Sequence, residues 1–163
     1  MIDWYIEQVF AARTWKLRKE VFALEGKLAE VMLEGDFEAT HFAAYDGNEV
    51  VGVLSLISSG DTYTIHFLAV APHVRLKGVG TALLKHARLF IDTFGGKMLQ
   101  AEAPSAQQHF WESNGFVPIK QKEELMITYS LPLTNDLMPE NEPRGRLWLH
   151  TGAAPCDPYG FSA

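Results

Sequence analysis

The residues with the most to offer chemically are Arg75-Leu76-Lys77-Gly78-Val79-Gly80-Thr81, which leave a strand-like run and open a helix-like one. A glycine-bearing turn at the start of a helix leaves several backbone N–H groups unpaired and pointing outward. The helix dipole adds partial positive charge at the same place, about 0.3–1 kcal/mol for each favourable anion contact. Gly78 and Gly80 remove the Cβ atoms that would hold a diphosphate off the main chain, and Arg75 and Lys77 add charge. The chemistry this suits is pyrophosphate binding. A Walker loop needs Gly-Lys-Ser/Thr closing a longer glycine span, which is absent. A dinucleotide fingerprint needs a further glycine at position 83, where the chain has Leu83.

The other reactive side chains form no comparable constellation. His73, His86, His109 and His150 lack metal-ligand spacing, so no metal is expected and surface or capping roles are the simpler reading. Ser105 and Ser113 stand near expected helix ends, where serine commonly caps, and no His/Asp partners suggest a hydrolase triad. Cys156 is the only cysteine, which rules out an intrachain disulfide. Glu123-Glu124 reads as a solvated turn and Gly115 as the residue that ends a helix.

Size and composition bound the rest. The 163 residues fit one domain with a real core, and the hydrophobic (47%) and charged (21%) fractions are those of a globular protein. Net charge is −6 with no run of Lys and Arg, so nucleic acid is not an expected partner, and a cationic or amine substrate suits the acidic balance better. Met1-Ile2-Asp3-Trp4 has no signal-peptide character and no stretch approaches the ~20 apolar residues that span a bilayer. No membrane partner and a cytoplasmic location are therefore expected.

These residues need elements to position them. Ile6, Phe10, Leu17, Val21 and Leu24 recur at three- and four-residue steps, which predicts a helix from about Ile6 to Leu24 with Arg13, Lys16, Arg18, Lys19 and Glu20 on its polar side. A second short helix through Leu28, Val31, Met32 and Leu33 ends at Gly35. His41–Tyr45, Val50–Leu56 and Tyr63–Ala71 read as three successive antiparallel strands, the first two joined by a hairpin at Asp46-Gly47. The clearest helix carries Leu83, Leu84, Ala87, Phe90, Ile91 and Phe94 as one apolar stripe and stops at Gly95-Gly96. Met98–Ala103 is a fourth strand, Ser105–Ser113 a short helix, and Phe116–Ile119 with Leu125–Leu131 a final hairpin. Past residue 133 the texture changes: Pro139, Pro143, Pro155 and Pro158 interrupt a tail in which only Arg146–His150 has strand character. That run could pair with a second subunit to give a homodimer.

Two stretches carry a resemblance to a known family. Leu68-Ala69-Val70-Ala71-Pro72-His73-Val74-Arg75-Leu76-Lys77-Gly78-Val79-Gly80-Thr81-Ala82-Leu83-Leu84 resembles motif A of the GNAT acetyltransferase superfamily, whose Arg/Gln-x-x-Gly-x-Gly/Ala signature falls on Arg75, Gly78 and Gly80. Phe110-Trp111-Glu112-Ser113-Asn114-Gly115-Phe116 resembles its motif B, Phe-Tyr-x-x-x-Gly-Phe. The resemblance covers residues 1–133. It implies an α+β fold with a mixed sheet of six to seven strands, about four flanking helices and a C-terminal extension over 134–163.

The resemblance further implies an N-acetyltransferase that takes acetyl-CoA and passes the acetyl group to an amine of a small molecule or peptide. The backbone of Leu68, Ala69 and Val70 would meet pantetheine. Arg75, Leu76, Lys77, Gly78, Val79, Gly80 and Thr81 would hold the pyrophosphate, with Trp111 beside the cofactor. Many members place a tyrosine at the Trp111 position to protonate the departing thiolate; an indole N–H is a donor but not an acid of that strength. Some carry a glutamate base on the motif A strand, where this chain has Thr64. His66, two residues on and on the same strand face, is the expected base. The missing tyrosine motivates an alternative, an acyl-CoA-binding or sensing module without turnover; a third reading is a structural dimer module with a vestigial loop.

Overall fold

In a computed structural model of the protein, described over residues 4–22, 25–123 and 125–133, seven strands form one sheet. They are β1 (Tyr5–Val9), β2 (Thr40–Asp46), β3 (Glu49–Ser59), β4 (Thr62–Val70), β5 (Met98–Pro104), β6 (Val117–Glu123) and β7 (Met126–Pro132). The spatial order is β1-β2-β3-β4-β5-β7-β6, and every neighbouring pair is antiparallel except β4 with β5. The helices are α1 (Ala12–Phe22), α2 (Val79–Thr93) and α3 (Gln108–Ser113). The chain divides into two units, Met1–Leu133 and Thr134–Ala163; the second, with the expected tail strand and Cys156, lies outside the described residues.

Three expectations change. The stretch from Ile6 is not helical: Tyr5–Val9 pairs with β2 from Tyr5↔Tyr45 to Val9↔His41, and α1 begins only at Ala12. Five residues are too few for their period to separate strand from helix, and the sheet edge offered by β2 decides. The expected second helix is two 3₁₀ turns, Leu28–Glu30 and Glu34–Phe37. In α2 the apolar stripe is buried from Leu83 to Ile91, but Phe94 lies past the helix end, 65% exposed and against Phe90 with ring centroids 4.7 Å apart.

The helices take opposite faces of the sheet. α2 packs on the face that carries Phe42, Gly52, Leu54 and Leu56; Phe42 meets Phe90 edge to face at 5.3 Å. Gly52 is the close approach that seats the start of α2, since a Cβ there would lie 2.5 Å from Val79 Cγ1 and 2.9 Å from Leu83 Cδ1. α1 packs on the other face through a buried polar network. Arg18, expected on the polar side of its helix, is 0% exposed. Its Nη1 donates to both Asp36 carboxylate oxygens at 2.8 Å and to the Val31 carbonyl at 3.1 Å, and its Nη2 donates to Ser55 Oγ at 2.7 Å. Trp15 Nε1 and the Leu33 N–H each donate to Asp36 Oδ2 at 3.0 Å.

The same network fixes a histidine tautomer. His41 Nε2–H donates to the Asp36 carbonyl at 2.7 Å, so Nδ1 is the acceptor for the Ser55 hydroxyl at 2.6 Å. Ser55 then gives one hydrogen bond and receives one from Arg18. Burial, opposed by that bond to Asp36, and the nearby Arg18 charge hold His41 below its ordinary pKa. The imidazole is a neutral strut.

Two substitutions test this scaffold. Gly52→Ala should destabilise the protein by about 1–3 kcal/mol, because the first turn of α2 must shift; urea unfolding reads it. Asp36→Asn leaves the Arg18 charge buried without its counterion and should cost about 3–5 kcal/mol. Burial opposes ionisation of Asp36, but the bonds from Leu33, Arg18 and Trp15 outweigh it and set its carboxyl below the ordinary value. Its stabilising contribution is therefore present above pH ~4 and lost as pH falls below that, so the stability difference between wild type and Asp36→Asn should close on acidification.

Candidate functional site

The site begins where two strands part. β4 and β5 pair in parallel from Thr62↔Met98 to Ile65↔Ala101, and there the pairing stops although β4 continues to Val70 and β5 to Pro104. On the other edge of β4 the antiparallel pairing with β3 runs on through Gly52↔Val70. The Ala71 N–H donates to the Val51 carbonyl at 2.8 Å. By the alternation of an antiparallel ladder, Ala69 and Phe67 also turn their main-chain groups to β3, while Leu68 and Val70 turn theirs into the opening. The Val70 carbonyl accepts a bond from Arg75 Nε at 3.3 Å, which leaves Leu68 and the Val70 N–H as the hydrogen-bonding edge of the gap.

The glycine loop stands at the wide end of this opening. Pro72–Val74 forms a 3₁₀ turn, Leu76 takes a left-handed conformation (φ 63°), and Gly78 repeats it (φ 90°) as the residue before α2. The first main-chain bond of α2 runs from the Ala82 N–H to the Gly78 carbonyl at 2.9 Å, so the N–H groups of Val79, Gly80 and Thr81 have no helical acceptor. Trp4 Nε1–H donates to the Lys77 carbonyl at 3.4 Å. Arg75, Leu76, Lys77 and Gly78 are exposed, whereas Val79 and Gly80 are buried. A Cβ on Gly80 would come within 3.1 Å of Phe110 Cζ and 3.8 Å of Val70 Cγ2, so this glycine joins loop, β4 and α3.

Phe110 is thus the aromatic ring against the loop. Trp111 is 3% exposed: it stacks on Tyr129 (5.8 Å, 21°), meets Phe110 and Phe116 edge to face, and donates Nε1–H to Gln107 Oε1 at 3.4 Å. It is a core wall under α3. Tyr129 is fully buried beside it, and burial, with the Glu112 charge, pushes its phenol above the ordinary pKa and keeps it protonated.

On the α1 face of the opening the register breaks once. Ser55 pairs with Phe67 and Leu56 with Ile65, leaving His66 as the extra residue of a bulge. Ile65 lies on the α2 face and Phe67 on the α1 face, where the Arg18 guanidinium carbon stacks 4.5 Å from its ring centroid. His66 is exposed and shares that side, 6.0 Å from Phe67 between ring centroids. Partial burial and the Arg18 charge lower its pKa against the opposing pull of Asp36. Phe22, 53% exposed at the end of α1, meets Phe67 edge to face at 4.9 Å.

The structure therefore brings Leu68, Val70, the 75–81 loop and His66 around one opening. Ala69 belongs to the β3 side of β4, and Trp111 lies one ring behind Phe110. A separate groove of about 630 Å³ between α1 and the β2–β3 turn, lined by Arg13, Lys16, Glu20, Asp46 and Glu49, shares no residue with it. Among the described residues no helix is long and apolar enough to cross a membrane.

The chain's likeness to known proteins agrees with this geometry. An acetyltransferase (GNAT) domain model matches residues 38–118, which include β2 to β5, the loop, α2 and α3. An uncharacterized N-acetyltransferase of Brevibacillus brevis is 28% identical over 112 residues, 62% of this chain and 69% of that protein. The ribosomal-protein-S18-alanine N-acetyltransferase of Escherichia coli superposes with a TM-score of 0.67 at 19% identity, over 86% of this chain and 99% of that one. A GNAT family acetyltransferase of Elizabethkingia anophelis with acetyl-CoA bound gives 0.63 at 20% identity, over 82% and 100%. The sheet that parts between β4 and β5, the loop at its open end and these likenesses converge: the chain belongs to the GNAT superfamily of acetyltransferases.

Proposed function

We propose that the protein transfers an acetyl group from acetyl-CoA to a primary amine of a small molecule or peptide, by direct attack on the thioester. The observation that carries this reading is the opening itself: an unpaired strand edge beside a row of outward N–H groups, a fit for an amide-bearing chain that ends in a pyrophosphate. The Gly78–Thr81 N–H groups, Arg75 and Lys77 would take the pyrophosphate. Leu68 and the Val70 N–H would pair with pantetheine as a further strand does. From Val70 back to His66 is four residues, about 13 Å of strand, which sets the thioester near the bulge.

The chemistry left to the protein is positioning and proton traffic. The ammonium form of the substrate gives one proton to neutral His66, directly or through water. The freed amine nitrogen bonds to the thioester carbonyl carbon, the C–S bond breaks, and the thiolate of CoA departs. The nitrogen of the new amide gives up its second proton to solvent, the thiolate takes a proton from solvent, and His66 returns its own to solvent. A thiol pKa near ~8.5 makes the thiolate a competent leaving group without a tyrosine at position 111. The buried Trp111 favours one second reading, a module that holds acyl-CoA without turning it over.

Melting with acetyl-CoA, with CoA and with ATP is the first test. A ligand at a hundred times its Kd stabilises the native state by about 2.7 kcal/mol, so CoA and acetyl-CoA should raise Tm while ATP does not. Gly80→Glu, which sets a side chain against Phe110 and a negative charge at the helix start, should abolish the shift; no shift in wild type refutes the reading. Thiol release on adding amines then separates enzyme from binding module.

His66 sets a pH signature. The charges that act on it are Arg18 and Asp36 from the α1 side. The neutral imidazole is the active form and its pKa lies below the ordinary ~6.5, so kcat/KM should rise with pH below that value and level off above it. His66→Ala should lower kcat about 10²-fold or more and remove the low-pH limb. A retained limb would assign the base elsewhere.

A further inference from the structure

Leu76 combines two features that nothing in the free protein offsets. Its backbone is left-handed (φ 63°), a conformation glycine takes freely, and among the described residues no other non-glycine adopts a positive φ. Its side chain is wholly exposed, more so than any other large apolar side chain among the described residues. A glycine at position 76 would make the same turn without strain and bare no apolar surface, so neither feature serves the folding of the loop. A second apolar group reaches the same stretch from the start of the chain. β1 begins its ladder with β2 at Tyr5↔Tyr45, and Trp4, one residue earlier, donates Nε1–H to the Lys77 carbonyl at 3.4 Å. That bond holds a half-buried indole against the residue that follows Leu76. Beside its N–H groups and two cations, which suit phosphate, the loop thus carries an isobutyl group and an indole, which do not.

We infer that the side chains of Leu76 and Trp4 are a platform for the adenine ring of CoA, so that the protein reads the nucleotide end of its cofactor as well as the pyrophosphate and pantetheine. The inference rests on the cofactor reading above. In CoA the pyrophosphate has pantetheine on one side and adenosine on the other. With pantetheine along Leu68 and Val70, the adenosine follows on the side of the loop away from the β4–β5 opening. Leu76, Lys77 and Gly78 are exposed there, and the Trp4 indole is fastened to them. A purine has two flat, weakly hydrated faces, which an indole or an aliphatic side chain covers without regard to hydrogen-bonding pattern. The strain at Leu76 fits that role. A conformation that costs stability in the free protein holds out a side chain whose contacts form only when the ligand is present. Trp4 adds a ring whose N–H is already taken by the Lys77 carbonyl, which leaves its faces for stacking.

The test measures, by calorimetry on the full chain, the Kd for CoA and for 4′-phosphopantetheine, which keeps the amides, the thiol and one phosphate but lacks adenosine. Leu76→Gly relieves the left-handed strain, so the Tm of the free protein should equal or exceed that of wild type. Its Kd for CoA should nevertheless rise about fivefold or more, and that of Trp4→Ala about tenfold or more. Both variants should bind 4′-phosphopantetheine within about twofold of wild type. Trp4→Phe, which keeps a ring and loses the N–H, should recover most of the CoA affinity lost in Trp4→Ala. The emission that wild type shows and Trp4→Phe lacks should be quenched by CoA and not by 4′-phosphopantetheine. A CoA Kd within about twofold of wild type in either Leu76→Gly or Trp4→Ala overturns the platform. So does an equal loss for both ligands, which would make these residues props for the loop and not a surface for adenine. If neither ligand binds wild type, the cofactor reading falls, and this inference with it.

Discussion

Everything in this molecule turns on the loss of pairing between β4 and β5 after Ile65 and Ala101. A central sheet normally satisfies every main-chain group on both sides of an interior strand, and an interior edge left open is costly unless something else takes the bonds. Here Arg75 takes one, at the Val70 carbonyl, and the rest face the opening. A chain that tolerates such a gap in the middle of seven strands must hold its two halves from elsewhere. β3 does so on one side, continuing its ladder with β4 past the fork, and β7 on the other, pairing with β5 from Met98↔Pro132 to Pro104↔Met126.

The two faces of the sheet answer this constraint differently. The α2 face is apolar and close-packed, down to a glycine at position 52 whose missing Cβ lets Val79 settle on β3. Tight packing there fixes the direction of α2 and hence of the N–H groups at its start. The α1 face buries a charge instead. Arg18 is desolvated completely, and only the Asp36 carboxylate, the Val31 carbonyl and Ser55 make that tolerable. Replacing the pair with well-packed apolar residues could give equal stability, but it would remove the positive charge that sits under Phe67 and lowers the pKa of His66. The network holds α1, the 3₁₀ turn, β2 and β3 together and, beside burial, adds to the lowering of the His66 pKa.

What could be read from the sequence and what could not divide along a physical line. The 75–81 loop was legible because its chemistry is local: glycines, two cations and a following amphipathic helix lie in one unbroken stretch from Arg75 to Thr93. The strand–turn–strand order from His41 to Ala71 was legible for the same reason. β1 was not, since Tyr5–Val9 is a strand only because β2 offers it an edge. Arg18 looked solvated because helical period assigns faces but not burial, and its partners lie 13 to 37 residues away. Phe110 gains its place from the contact with Gly80, and His66 its exposure from the register break between β3 and β4. Position in a ladder is a property of two strands at once, and no single stretch encodes it.

The tryptophan in place of a tyrosine bears most directly on how the site could work. Trp111 is stacked on Tyr129 and closed off from solvent by Phe110 and Phe116, so no proton from that position can reach a thiolate. The proton balance does not require one. In the proposed reaction a substrate ammonium would bring a proton that must be removed before attack, while the departing thiolate would be protonated from solvent afterwards. The demanding step is therefore deprotonation of the amine, with a pKa some units above that of the departing thiol. A base for that step must itself be unprotonated at working pH. His66, kept neutral by partial burial and by the Arg18 charge, meets that condition where an ordinary surface histidine meets it less fully. A buried arginine on the far side of Phe67 and an unpaired residue in a bulge then serve one end, a neutral imidazole at the mouth where the two strands separate.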